Sequence, residues 1–136
     1  MANYVYGKAL ENFASANINW VSHNIKLVLV DAEEYTDSQN VDAALDDIPA
    51  GGRIATSVNL DTKTNVLGVL DCDDVILSTV SGDQFEAIVF YKDSGVESTS
   101  YLICKYDLNV VGLPFTPNGS DITVKMPNDS NRVMKV

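Results

Sequence analysis

The most apolar run in the chain is "NIKLVLVD", residues 24–31, where Ile25, Leu27 and Leu29 project to one side of an extended strand and Val28 and Val30 to the other. A strand apolar on both sides is expected to be covered on both faces. "RIATSVNL", the turn-prone "DTKTN" and "VLGVL" together predict a hairpin. "DVILSTV" leads through "SGD" into "QFEAIVFYK" and predicts a second hairpin, with Gly82 taking the positive φ that most residues avoid. "TSYLICKYDL" is predicted to pair with that last strand across "DSGVES". Near the end, "DITVKM" and "RVMKV" are separated by "PNDSN", where Pro127 stops the first strand and Asn128 and Asp129 turn the chain.

Two segments show helical spacing. In "GKALENFASAN" the apolar residues Ala9, Leu10, Phe13 and Ala14 can share a face that docks on the core. In "DSQNVDAALDDIPAGG", Ser38 or Asn40 is placed to cap, Val41, Ala44 and Leu45 share a side, and Pro49 with Gly51 and Gly52 ends a helix of one or two turns. About eight short strands with turns every 8–15 residues, and no long helices between them, predict an all-β fold with one or two short helices. The expected architecture is an antiparallel β-sandwich, jelly-roll-like, with an immunoglobulin-like layout as the alternative. No linker, repeat or low-complexity tract divides the chain, so residues 1–136 are expected to form one domain, with residues 1–7 as an N-terminal arm.

Charge narrows the partners. Lys and Arg total 9 against 19 Asp and Glu, a formal net charge of −10. Such a field repels phosphate backbones and anionic headgroups, so neither nucleic acid nor membrane is expected as a partner. No stretch approaches the roughly 18 apolar residues of a spanning helix, and "MANYVYGKALENF" lacks a secretory layout, which together predict folding in a cytoplasm. Cys72 and Cys104 have no CxxC spacing and alternate with apolar neighbours, as buried free thiols do.

Candidate chemistry is sparse. His23 is the chain's one histidine, without a G-x-S-x-G elbow to supply a nucleophile, and it is read as a hydrogen-bonded residue at a strand entrance. Asp71, Asp73 and Asp74, and separately Asp31, Glu33, Glu34 and Asp37, offer the oxygens that calcium collects, but neither group has EF-hand spacing and both are read as solvated loop acids. The glycines fit no phosphate-cradling motif and are read as turn glycines. No catalytic residue, metal or cofactor is assigned. Trp20 is expected to plug the core. Tyr4 and Tyr6 suggest an aromatic arm ordered by a neighbouring subunit, the alternative being an arm folded back on its own sheet.

The blocks "INWVSHNIKLVLVDAEEYT", "DIPAGGRIATSVNL", "SGDQFEAIVFYKDSG" and "LPFTPNGSDITV" resemble, in that order, a family of small tailed-bacteriophage virion structural proteins. Within that family, "DSQNVDAAL" departs from the expected composition after "YT". The resemblance implies a non-enzymatic role as a capsid cement or decoration protein. Such a protein would be assembled in the host cytoplasm, sit on the capsid surface, and contact the major capsid protein and copies of itself. The contacts expected on this basis are Tyr4 and Tyr6 in the arm and the connection carrying Ile48, Pro49 and Arg53, with "RVMKV" able to add a strand to a neighbour or complete its own sheet. A tail or baseplate component is the alternative within virions. A carbohydrate-binding sandwich presenting Trp20 or exposed tyrosines is the alternative outside them.

Overall fold

The computed structural model describes residues 3–107, 110, 112–126 and 133–136. Among them are ten strands and one α-helix, α1 (Gly7–Ala14). The strands are β1 (Tyr4–Val5), β2 (Ile25–Val30), β3 (Arg53–Thr56), β4 (Thr64–Val66), β5 (Val69–Asp71), β6 (Val75–Leu77), β7 (Ala87–Lys92), β8 (Leu102–Tyr106), β9 (Ile122–Val124) and β10 (Met134–Lys135). The fold is all-β and antiparallel throughout the paired strands, with one short helix. No helix among the described residues is long and apolar enough to cross a membrane.

A five-stranded sheet in the order β1-β8-β7-β2-β3 forms the middle layer. Its inner strands are buried on both faces, as the doubly apolar pattern of residues 25–30 requires. Ile25, Leu27 and Leu29 of β2 join Ile88 and Phe90 of β7 in one buried cluster, while Val28 and Val30 join Ala87, Val89 and Tyr91 in a second cluster on the opposite face. The first cluster is closed by the three-stranded sheet β10-β5-β4 and the ribbon β6-β9, through Leu70, Cys72, Val75, Leu77, Val133 and Met134. Helix α1 and the chain between β2 and β3 close the second, through Ala9, Tyr35, Leu45 and Ile48.

Two expected hairpins are replaced by other pairings. β3 lies along β2, and Ser57 N–H and Leu60 N–H continue that edge by donating to the carbonyls of Leu27 and Ile25 at 2.9 and 2.8 Å. The hairpin therefore falls later, between β4 and β5, with Leu67 and Gly68 as a two-residue turn. Likewise β6 pairs with β9 instead of β7. Gly82 has the expected positive φ of 126°, but residues 79–80 are already bound to the distant 119–121 segment: Thr79 N–H donates to Asp121 at 2.9 Å and Val80 N–H to the Ser120 carbonyl at 3.1 Å. Pairing β6 with β9 buries Val75 and Leu77 in the core and leaves Ile76 outward. β7 pairs with β8 as expected.

Helix α1 begins and ends near its expected limits, but only Ala9 on it is buried and Leu10 is about half exposed. The second helix is reduced to two 3-10 turns, Leu45–Asp47 and Ala50–Gly52, and Val41 is exposed. The Asp47 carboxylate accepts from Ala43 and Ala44 N–H, and the Asp42 carboxylate from Ser38 N–H, so side chains satisfy amides that a longer helix would otherwise engage. The expected turn at Pro127, Asn128 and Asp129 lies outside the described residues.

Residues 4–6 fold back on the chain's own sheet, the second of the two arrangements expected for them. Tyr4 pairs with Lys105 and Val5 with Cys104, making β1 an edge of the chain's own sheet, and Tyr6 is fully buried in the second cluster. The reason is the packing demand of that face, which an aromatic ring fills. "RVMKV" likewise completes an internal sheet, with Met134 opposite Leu70. Truncating Tyr6→Ala should therefore lower stability by about 3 kcal/mol or more, measured as a shift in the urea midpoint. An unchanged midpoint would mean that the segment is dispensable to the fold.

Candidate functional site

Tyr4, Tyr6, Ile48, Pro49 and Arg53, expected at an interface, converge on the second face of the main sheet, and most of them are committed inside the molecule. The Tyr4 and Tyr6 rings meet edge to face, with centroids 5.1 Å apart. The Tyr6 and Tyr35 hydroxyls are 3.0 Å apart, and Tyr35 donates onward to the Asp42 carboxylate at 2.6 Å. The Tyr4 hydroxyl donates to Asp37. Asp37 also pairs with Lys105 at 2.8 Å, and Lys105 reaches Asp107 at 3.0 Å. The Lys105 ammonium lies 5.3 Å from the centre of the Tyr4 ring, within cation–π range. Burial raises the phenol pKa values of Tyr4, Tyr6 and Tyr35 well above the ordinary value, so these hydroxyls remain neutral donors.

Arg53 is a clasp. Its Nε–H donates to the Ile48 carbonyl at 2.8 Å, one terminal nitrogen donates to the Leu45 carbonyl at 2.9 Å, and the other pairs with Glu97. The planar guanidinium thereby gathers the carbonyl ends of a connection too short to form a stable helix. Ile48 is fully buried, which leaves Pro49 as the member of this group with an exposed side.

Several other candidates also have structural partners. Trp20 is 2% exposed and its indole N–H donates to the Asp71 carbonyl at 3.1 Å, so it plugs the core and offers no face to a sugar. None of the six tyrosines is exposed either. His23 Nδ1 accepts from the Asn19 N–H at 2.9 Å. Desolvation, with Lys92 and Lys63 nearby, lowers its pKa and favours the neutral ring. Asp71 accepts from Cys72 N–H, Asp73 from the Thr62 hydroxyl, Asp74 from Met126 N–H, and Asp31 from Glu33 N–H. No group of three potential ligands gathers into a metal site among the described residues. Cys72 and Cys104 are free and buried; burial pushes the Cys72 thiol up to about 12 and the Cys104 thiol higher still.

A cleft of about 790 Å³ opens beside Phe85, Phe90, Phe115, Val124, Met126 and Val133. The chain between Met126 and Val133 lies outside the described residues, and no function is assigned to this cleft.

One feature escaped sequence reasoning. At the β4–β5 turn, Leu67 is 92% exposed, Val66 on one side is 64% exposed, and Val136, whose N–H donates to the Gly68 carbonyl at 2.9 Å, is 45% exposed. The signal was "VLGV", in which leucine occupies a turn position that usually takes asparagine or aspartate. Lys105 is buried as well, although a lysine among apolar residues reads as the wet side of a strand.

No protein-family model matches this chain, and no curated protein matches it in sequence.

The Tyr4–Asp37–Lys105 cluster has an acid signature. Burial acts to raise the Asp37 carboxyl, but hydrogen bonds from Lys105 and Tyr4 outweigh it and hold the pKa below the usual value. A carboxyl lowered on folding contributes stability that is complete above its unfolded pKa, about 4, and is lost as pH falls through the folded value. Asp37→Asn should therefore be less stable than the parent at neutral pH, with the difference shrinking below about pH 4. Thermal unfolding across this range checks it, and a pH-independent difference would contradict the linkage.

Proposed function

We propose that this chain is a non-enzymatic virion structural protein, a cement or decoration protein that binds the outer surface of the major capsid protein lattice and stabilises the head. The observation that carries the reading is the grouping of three exposed apolar side chains, Val66, Leu67 and Val136, at the β4–β5 turn, where Val136 N–H donates to the Gly68 carbonyl. Large apolar groups displayed on a rigid support favour contact with another protein. The resemblance of four ordered sequence blocks to small phage structural proteins supplies the setting. Two of those blocks, residues 18–36 and 81–95, contain β2 and β7, the doubly buried framework strands.

Cementing suits such a subunit. A capsid repeats one surface many times, so copies that each make modest contacts can hold the lattice together through their combined occupancy. A framework whose strands are fixed by two cores keeps the contact surface in a constant geometry, which lowers the ordering cost of each contact.

Electron-microscopic difference mapping of particles with and without this subunit tests the assignment. Ordered density on the outer face of the head lattice is the expected result. Density on the tail or baseplate would transfer the role there, and absence from the particle would overturn a virion role altogether.

A further inference from the structure

The β4–β5 turn combines features that do not arise from the needs of the fold. Leu67 has φ +54° and Gly68 φ +81°, the pair of left-handed residues that a two-residue hairpin turn requires. Glycine takes this conformation freely, whereas leucine is disfavoured there. Leu67 recovers nothing from packing, since 92% of it is exposed. An asparagine would suit the backbone better and avoid displaying an aliphatic side chain to water.

Next to the turn, the hairpin's outward pleat begins with the apolar pair Val66 and Val69. Leu70 and Met134 are opposed across β5 and β10 and point into the core. Val66, Val69 and Lys135 therefore lie on the other face, with Val66 opposite Val69 and Lys135 beside it. Val136 adds an aliphatic group next to Gly68, whose Cβ position would be only 3.0 Å from the Val136 carbonyl oxygen. The tip from Thr64 to Val69 contains no ionisable side chain.

Charge reappears at the hairpin's base. Asp71 lies opposite Thr64, and Asp73 and Asp74 follow directly. Asp73 N–H donates to the Asp61 carbonyl at 3.0 Å, bringing a fourth acid alongside. Asp61, Asp73 and Asp74 are exposed. An apolar knob thus rises from a net acidic collar, in which Asp61, Asp71, Asp73 and Asp74 outnumber Lys63 in the intervening turn and Lys135 beside Val69. This arrangement is complementary to an apolar socket rimmed by Lys or Arg. It disfavours a second copy of the same chain, because each copy brings a net charge of −10 and the same collar.

We propose that the β4–β5 hairpin is the contact through which the subunit seats on the shell, with Leu67 entering an apolar socket of the major capsid protein and the acidic collar meeting basic residues at its rim. This inference rests on the cement reading. Leu67 is the anchor, Val66 and Val136 are its flanks, and the collar sets orientation and encounter rate.

The discriminating variant is Leu67→Asn, which suits the left-handed turn while removing the aliphatic knob. Parent and variant would be titrated against particles assembled without this subunit, with thermal unfolding and sedimentation of each free protein measured in parallel. The expected result is that the parent binds, that binding weakens as salt rises, and that Leu67→Asn binds at least tenfold more weakly with an equal or higher melting temperature. Parent binding with a variant affinity within twofold would overturn the hairpin contact and leave the cement reading standing. No parent binding would overturn both. Self-association of the parent that Leu67→Asn abolishes, with shell binding unchanged, would replace the shell with a second copy as the occupant.

Discussion

Strands β2 and β7 have almost no solvent face, and this constraint organises the molecule. Residues 25–30 and 87–91 place large aliphatic and aromatic groups on both sides of one sheet, so the chain must supply two separate covers. Strands β4, β5, β6, β9 and β10 supply one as two small sheets. The N-terminal segment and the connection between β2 and β3 supply the other with a short helix, 3-10 turns and buried tyrosines. Each cover is too short to stand alone, because two- and three-residue strands and an eight-residue helix gain their persistence from the sheet they protect.

That dependence explains the fate of the polar candidates. On the irregular cover, backbone groups cannot all find partners in a regular ladder, so side chains provide them: Arg53 for the Leu45 and Ile48 carbonyls, Asp42 and Asp47 for nearby amides. Lys105 points from β8 into the same layer, where Asp37, Asp107 and the Tyr4 ring surround its ammonium. Removing one partner from this group would leave another charge buried, which makes the cluster costly to disturb although it adds little net stability by itself. The acids and tyrosines therefore bind this protein to itself.

Local pattern revealed a good part of this. The two faces of β2, the β7–β8 pairing, the first helix, the buried Trp20 and the two buried thiols follow from alternation and residue type alone. Long-range choices were not legible. "RIATSVNL" and "DVILSTV" each had a turn signal beside them, yet their partners are β2 and β9, selected by which pairing buries Leu60, Val75 and Leu77. Tyr6 and Ile48, expected at an interface, are fully buried, because large apolar and aromatic groups suit interiors and interfaces alike and sequence carries no measure of burial. Leu67 was hidden for the opposite reason: an isolated leucine reads as core until its turn is placed.

The resulting account divides the molecule into a framework secured by its own polar groups and a hairpin tip that presents apolar surface outward. Hydrogen exchange of the free and particle-bound subunit tests that division most directly. The account predicts that binding slows exchange at residues 64–69 and 134–136, while the amides of β1 and the Ile48–Arg53 connection exchange alike in both states. New protection confined to residues 4–6 and 48–53, with residues 64–69 unchanged, would contradict it.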